Sequence, residues 1–202
     1  RQADRYHVPR IAYVNKMDRM GADFLRVLEE MKERLGAPIL PVQLPIGAGE
    51  LFTGIIDLIR DKAYFYDEAS QGVKVEEAEI PDSHREQANS YRQEILECVA
   101  GYNDTLLEKF LEDQPLEEAE IKAAIRQATL DGNMVPVFCG SSYKNKGVQK
   151  LLDSVLDYLP SPKDIPPVTG VVPTREHEKV ERRPDPDEPF SALAFKVVTD
   201  PF

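Results

Sequence analysis

Four residues of this 202-residue chain, Asn15-Lys16-Met17-Asp18, set an amide, an ammonium and a carboxylate directly after the apolar run Ile11-Ala12-Tyr13-Val14. That set can read a guanine base. Guanine offers donors at N1–H and at its 2-amino group. One carboxylate can accept from both at once, a geometry that excludes adenine. Asp18 suits this role, and charge-assisted hydrogen bonds of this kind contribute about 1.5–3 kcal/mol each. Asn15 can donate to the base edge and tie its loop to a neighbouring one. Lys16 can lay its aliphatic stem and its charge over the face of the base. Met17 is expected to point into the protein. The same four residues could also form an ordinary strand-to-helix turn capped by Asp18, so the reading depends on what stands around them.

A second loop supplies that context. Cys139-Gly140-Ser141-Ser142-Tyr143-Lys144-Asn145-Lys146-Gly147 ends another apolar run, Val135–Cys139. Small residues after an apolar strand let backbone N–H groups approach a ligand closely. The Ser142 N–H is expected to bond guanine O6 and the Ser141 hydroxyl to brace Asp18.

The elements that must position these loops show in the apolar periodicity. Residues 10–15 are apolar on both faces, as in the centre of a parallel sheet. Met20, Phe24, Val27, Leu28, Met31 and Leu35 then recur at helical spacing until Gly36 and Pro38 stop the helix. After the second loop, Val148, Leu151, Leu152, Val155, Leu156 and Leu159 mark another helix, stopped by Pro160. Strand, loop, helix, repeated, predicts a doubly wound α/β fold. Both loops fall at strand carboxyl ends, where such sheets bind ligands.

Residues 37–131 have a different texture. Segments 38–46, 52–57, 62–67 and 73–79 read as short strands between turn residues. Helices follow over 83–101, opened by a capping box of Ser83 and Glu86, and over 104–113 and 116–131. The economical reading is an α+β insertion within an α/β domain. Residues 36–131 carry 20 acidic and 8 basic side chains, a balance of −12, while the rest carry 16 and 17, a balance of +1. Such a segment repels a phosphate backbone, so no direct nucleic-acid contact is expected from it. It suits a basic protein partner or serves as a solubilising surface. Residues 161–189 are rich in proline and charge and read as an interdomain linker. Alternation of Leu193, Phe195 and Val197 predicts that residues 190–202 open the first strand of a further domain.

No G-x-x-x-x-G-K-[ST] run is present, and the D-x-x-G match at positions 18–21 overlaps the base-reading loop. The phosphate cradle, the magnesium ligands and every catalytic residue are therefore expected to lie outside this chain, whose first residue is Arg rather than Met. Cys98 and Cys139 read as buried free thiols, and the three scattered histidines suggest no metal site. With no signal-peptide pattern and no long apolar run, the chain is expected to be cytoplasmic with no membrane partner.

On these residues the chain resembles the bacterial-type translation elongation factor G family. The resemblance is carried by Val8-Pro9-Arg10-Ile11-Ala12-Tyr13-Val14-Asn15-Lys16-Met17-Asp18-Arg19-Met20-Gly21-Ala22-Asp23-Phe24 and by Gln43-Leu44-Pro45-Ile46-Gly47. It continues through Gly54-Ile55-Ile56-Asp57, Lys144-Asn145-Lys146-Gly147-Val148-Gln149 and Leu156-Asp157-Tyr158-Leu159-Pro160-Ser161-Pro162. Pro189-Phe190-Ser191-Ala192-Leu193-Ala194-Phe195-Lys196 looks like the first strand of that family's second, β-barrel domain.

The resemblance implies a partial P-loop-GTPase-type doubly wound sheet with an α+β insertion, ending in the first strand of a truncated β-barrel. Residues 1–36 and 132–160 would be the C-terminal half of the GTP-binding domain, and 37–131 the inserted subdomain. It implies GTP or GDP as ligand, with magnesium in the intact parent, and guanine contacts from Asn15, Lys16, Met17, Asp18, Ser141, Ser142 and Tyr143. It implies a monomeric ribosomal GTPase that drives translocation and, with a recycling factor, ribosome disassembly. The acidic insertion would meet the ribosomal stalk protein. Where that family commonly has Ser-Ala-Phe or Ser-Ala-Leu, this chain has Ser141-Ser142-Tyr143. Two other readings stand beside it: a protein-binding module acting through the insertion, and a related ribosomal GTPase such as a tetracycline-resistance ribosome-protection protein or a release-factor GTPase.

Overall fold

The computed structural model describes residues 2–172, 174–192 and 194–199, with the backbone alone for 175–177. Its contacts divide the chain at Pro160 into two units.

In the first unit a one-turn helix, α1 (Gln2–Arg5), precedes β1 (Ala12–Val14). Helix α2 (Phe24–Leu35) starts where the Asp23 carboxylate accepts from the Arg26 N–H at 3.0 Å. It ends at Gly36, whose φ of 59° lets the cap N–H reach the Lys32 carbonyl. Phe24 and Leu28 enter the core, but Met20 is 95% exposed, because it lies in the turn before the helix begins. Next come β2 (Ile39–Pro41) and, without a loop, β3 (Gln43–Ile46). β4 (Gly54–Asp57), β5 (Lys62–Tyr66) and β6 (Val75–Ala78) complete a strand meander. Helices α3 (Asp82–Ala100), α4 (Asp104–Leu111) and α5 (Glu118–Leu130) lead back to β7 (Val135–Cys139) and α6 (Val148–Tyr158).

Two sheets result. One is parallel, in the order β1-β7-β2, and the other antiparallel, in the order β3-β4-β5-β6. β7 is central in the first and buried along its whole length, which explains its continuous apolar run. The doubly wound α/β class with an α+β insertion is thus observed. One boundary shifts. Residues 39–41, grouped by texture with the insertion, pair with β7 in the parallel sheet. Val42 is the seam: its N–H donates to Val137 O at 3.1 Å, and its carbonyl accepts from Leu58 N at 3.1 Å, so both sheets use one residue. In β4, Ile55 and Ile56 point to opposite faces and are both fully buried. The inserted sheet is therefore covered on both sides, each such side chain contributing about 1.5–3 kcal/mol.

The helices differ from expectation in detail. α3 starts at Asp82 behind Pro81, whose side chain cannot cap, so Ser83 already lies inside the first turn. Its hydroxyl meets His84 Nδ1 at 2.9 Å, and no capping box forms there. A box-type contact opens α5 instead, where the Glu117 N–H donates to Glu120 at 3.0 Å. α6 turns Ser154 and Tyr158 inward, with Tyr158 stacked on Phe138 of β7 at 6.1 Å. Of its apolar stripe, Leu151 packs on the core while Leu152, 60% exposed, and Leu156, 80% exposed, point outward. The Arg126 guanidinium of α5 donates to the carbonyls of Leu156, Asp157 and Leu159 at the end of α6. Cys139 is buried, and burial pushes its thiol well up. Cys98 is exposed on α3, against the expectation that both thiols are buried.

The second unit holds a hairpin where the sequence suggests only a linker. β8 (Val168–Val172) pairs antiparallel with β9 (Arg175–Arg182), with a bulge between Val171 and Val172. Prolines flank this hairpin on both sides and dominate the sequence signal, hiding the valine-rich strand between them. Residues 190–192 and 194–199 form no strand, and Phe190, Phe195 and Val197 are exposed. A strand needs a ladder partner, and none pairs with these among the described residues. Leu193 lies outside the described residues. Among those described, no helix is long and apolar enough to cross a membrane.

Candidate nucleotide-recognition site

β1 and β7 are parallel neighbours in register, with Val14 beside Cys139. Their carboxyl ends therefore release the two loops side by side. Asn15 Oδ1 accepts from the Ser142 N–H at 2.9 Å and from the Lys16 N–H at 2.8 Å. The Met17 N–H donates to Gly140 O at 3.1 Å, and the Met17 carbonyl accepts from Gly49 N at 2.8 Å. Met17 itself is buried, so it anchors the first loop in the core. Lys16 sits at φ 64°, a left-handed backbone rarely held by a lysine, and its side chain is exposed. Asp18 is half-buried, and among the described residues nothing hydrogen-bonds or pairs with its carboxylate.

The second loop closes on itself. Ser141 and Lys146 exchange backbone hydrogen bonds of 2.9 Å in both directions, and Asn145 N donates to Ser142 O at 3.2 Å. Asn145 at φ 52° and Gly147 at φ 86° turn the chain into α6. Gly140 is required by a close approach: a Cβ there would stand 2.3 Å from both the Lys146 carbonyl and the Tyr13 hydroxyl. That hydroxyl donates to Lys146 O at 3.3 Å, and burial pushes its pKa up to about 12.

All seven residues singled out from the sequence lie on these two loops, but two details differ. The Ser142 N–H, expected to face a ligand, is engaged by Asn15, because the loops bind each other. The Ser141 hydroxyl accepts from Lys144 N at 3.2 Å rather than bracing Asp18, since Ser141 is fully buried under its own loop. Tyr143 is 93% exposed at the rim. The sequence reading missed Tyr13, Gly140 and Lys146. Lys146 is the least expected of these: its residue is 2% exposed, although lysine in a polar loop is ordinarily solvated.

The family described as elongation factor Tu GTP binding domain matches residues 1–161. The chain belongs to that family. Elongation factor G of Salinibacter ruber is 55% identical over 203 aligned residues, which are 100% of this chain and 29% of that protein. The chain therefore spans less than a third of that curated relative's length. A crystal structure of a protein from Thermus thermophilus superposes with a TM-score of 0.71 at 36% identity, covering 84% of this chain and 25% of that one. In this GTP-binding family the ligand is a guanine nucleotide. On the two loops, the Asp18 carboxylate and the Tyr143 N–H have no partner among the described residues.

Proposed function

We propose that this chain is a portion of a ribosomal translocase of the elongation factor G type, carrying the guanine-reading loops and an acidic docking subdomain. The observation that carries the reading is the pair of loops at the carboxyl ends of β1 and β7, stitched by Asn15 and Ser142 with the Asp18 carboxylate left open. Asp18 selects the base, Asn15 holds the loops together through the Ser142 N–H, Lys16 covers the ring, and the backbone N–H of Tyr143 meets O6. Residues 190–202 open the next, β-barrel domain. The full factor is a cytoplasmic monomer that hydrolyses GTP on the ribosome to drive translocation and recycling. Bound nucleotide with magnesium supplies the phosphoryl chemistry, through ligands that this chain does not carry.

The acidic insertion docks a basic partner, the ribosomal stalk protein. Its basic residues are largely consumed in internal ion pairs: Arg60 and Lys122 with Glu118, Lys109 with Glu120, and Arg85 with Asp61. Glu86, Glu94 and Glu97 of α3, Glu108 of α4 and Glu112 at its C-terminal cap are exposed without such partners. The uncompensated charge therefore lies on α3 and α4 rather than on α5.

Calorimetric titration of the chain with GDP, beside the C-terminal domain of the stalk protein, tests this. Phosphate and magnesium contacts supply most of a nucleotide's affinity, so GDP is expected to bind more weakly than micromolar. Micromolar GDP binding would overturn the assignment of the phosphate machinery to other parts of the factor. Reversing Glu94, Glu97 and Glu108 to lysine is expected to abolish most stalk-domain binding and to flatten its salt dependence. Equal affinity after reversal would make this face a solubilising surface.

A further inference from the structure

The second base-reading loop is held from below by the inserted subdomain, and one buried lysine does most of the holding. The Lys146 ammonium donates to the Phe52 carbonyl at 2.8 Å and to the Glu68 carboxylate at 2.8 Å, and lies 5.9 Å from the Phe52 ring centre. Its own backbone closes the loop through Ser141 and receives the Tyr13 hydroxyl. An ammonium removed from water stays charged only where acceptors replace its hydration. Here both acceptors belong to the insertion: Phe52, just before β4, and the turn 67–74 between β5 and β6. The hydrogen bond from Lys146 in turn holds the Glu68 carboxyl below the usual glutamate range.

Two further contacts seat the same turn on the same loop. Asn145 Nδ2 donates to Gln71 O at 3.4 Å, and Gln149 Nε2 donates to Gly72 O at 3.2 Å. Gly72, at φ 73°, approaches so closely that a Cβ would stand 2.6 Å from Asn145 O and 2.7 Å from Lys144 O. The turn is rigid in its own right, since the Asp67 carboxylate accepts from the N–H groups of Ala69 and Ser70 and the Asp67 carbonyl from Gly72 N.

We propose that Lys146 is a positioning residue for base recognition, through which the seating of the turn 67–74 sets the shape of the loop 141–146. The inference rests on the guanine reading above. Its consequence is that the inserted subdomain and the base site are coupled: whatever shifts the turn changes how tightly the base is held. The Lys146 ammonium is buried and held by Phe52 and Glu68. It acts through Ser141, whose neighbour Ser142 meets Asn15.

Lys146→Met keeps the stem and removes the charge. Glu68→Gln, at a largely exposed carboxylate, weakens one acceptor without threatening the fold. In this chain, hydrogen exchange at the amides of 140–147 is expected to rise about tenfold in Lys146→Met and less in Glu68→Gln, with α3 and α5 as protected as before. In the full-length factor, GDP release is expected to accelerate by a similar factor and the preference for guanine over xanthine to narrow. Adding Glu68→Gln to Lys146→Met should change nothing further, because the pair acts as a unit. Unchanged exchange in a folded Glu68→Gln, or faster exchange with GDP release and base preference untouched, overturns the proposal and leaves a structural staple. A full-length wild type with no guanine preference would sink the base-reading assignment itself, and this inference with it.

Discussion

In the full-length factor, Asp18→Asn is expected to lower GDP affinity by about two to four orders of magnitude and to turn preference toward the xanthine nucleotide. Two guanine donors meet the carboxylate, each bond contributing about 1.5–3 kcal/mol, and an amide can accept only one of them while presenting its own N–H₂ to the other. Xanthine carries a carbonyl where guanine carries the amino group, so the same amide gains a partner there. Because Asp18 makes no hydrogen bond or ion pair among the described residues, the substitution leaves the loop's own contacts intact. Competition between GDP and the xanthosine diphosphate checks this. An unaltered ratio of the two affinities would remove Asp18 from its role.

Gly140→Ala is expected to be as damaging by a different route. Its Cβ would meet the Lys146 carbonyl and the Tyr13 hydroxyl, each at 2.3 Å. One obstacle is backbone, locked by the Ser141–Lys146 exchange of hydrogen bonds, so relief requires the loop to open or β1 to part from β7. Overpacking of this kind costs about 1–3 kcal/mol in stability. Guanine affinity should be lost as well, because both loops hang from those strand ends. Gly101→Ala supplies the control. It sits at φ −69° with its nearest obstacle, Cys98 O, at 3.6 Å, and should be close to neutral. Thermal unfolding and GDP binding of the two variants together decide the matter. A Gly140→Ala protein as stable and as competent as Gly101→Ala would refute the close-packed loop.

The two substitutions also show where sequence reasoning reached and where it stopped. The reading proposed for Asp18 comes from local sequence: a carboxylate, its spacing to Asn15 and its place after an apolar strand are all written within a few residues. Gly140 was legible only as a small residue. The reason for its smallness is a tyrosine on another strand and the carbonyl of Lys146 across the loop, which meet only in three dimensions. Residues 39–41 read as part of the insertion in sequence because hydropathy does not name a strand's hydrogen-bonding partner. The hairpin of β8 and β9 was obscured by the prolines around it. The apolar stripe of α6 was visible as a stripe, but periodicity does not say which neighbour a stripe faces.

The sequence by itself determined the α/β class with its α+β insertion, the position of the second strand from Val135 to Cys139, the two polar loops that follow the apolar strands, and the concentration of acidity between them. Each follows from periodicity, turn residues or charge counts, which act over short stretches of chain. The tertiary structure alone decided that one residue, Val42, joins the two sheets, that Asn15 engages Ser142 across 127 positions, and that Lys146 is buried beneath the base loop against Phe52 and Glu68. Those are pairings between groups far apart in sequence. They become energetically meaningful only when folding removes both partners from water at the same place.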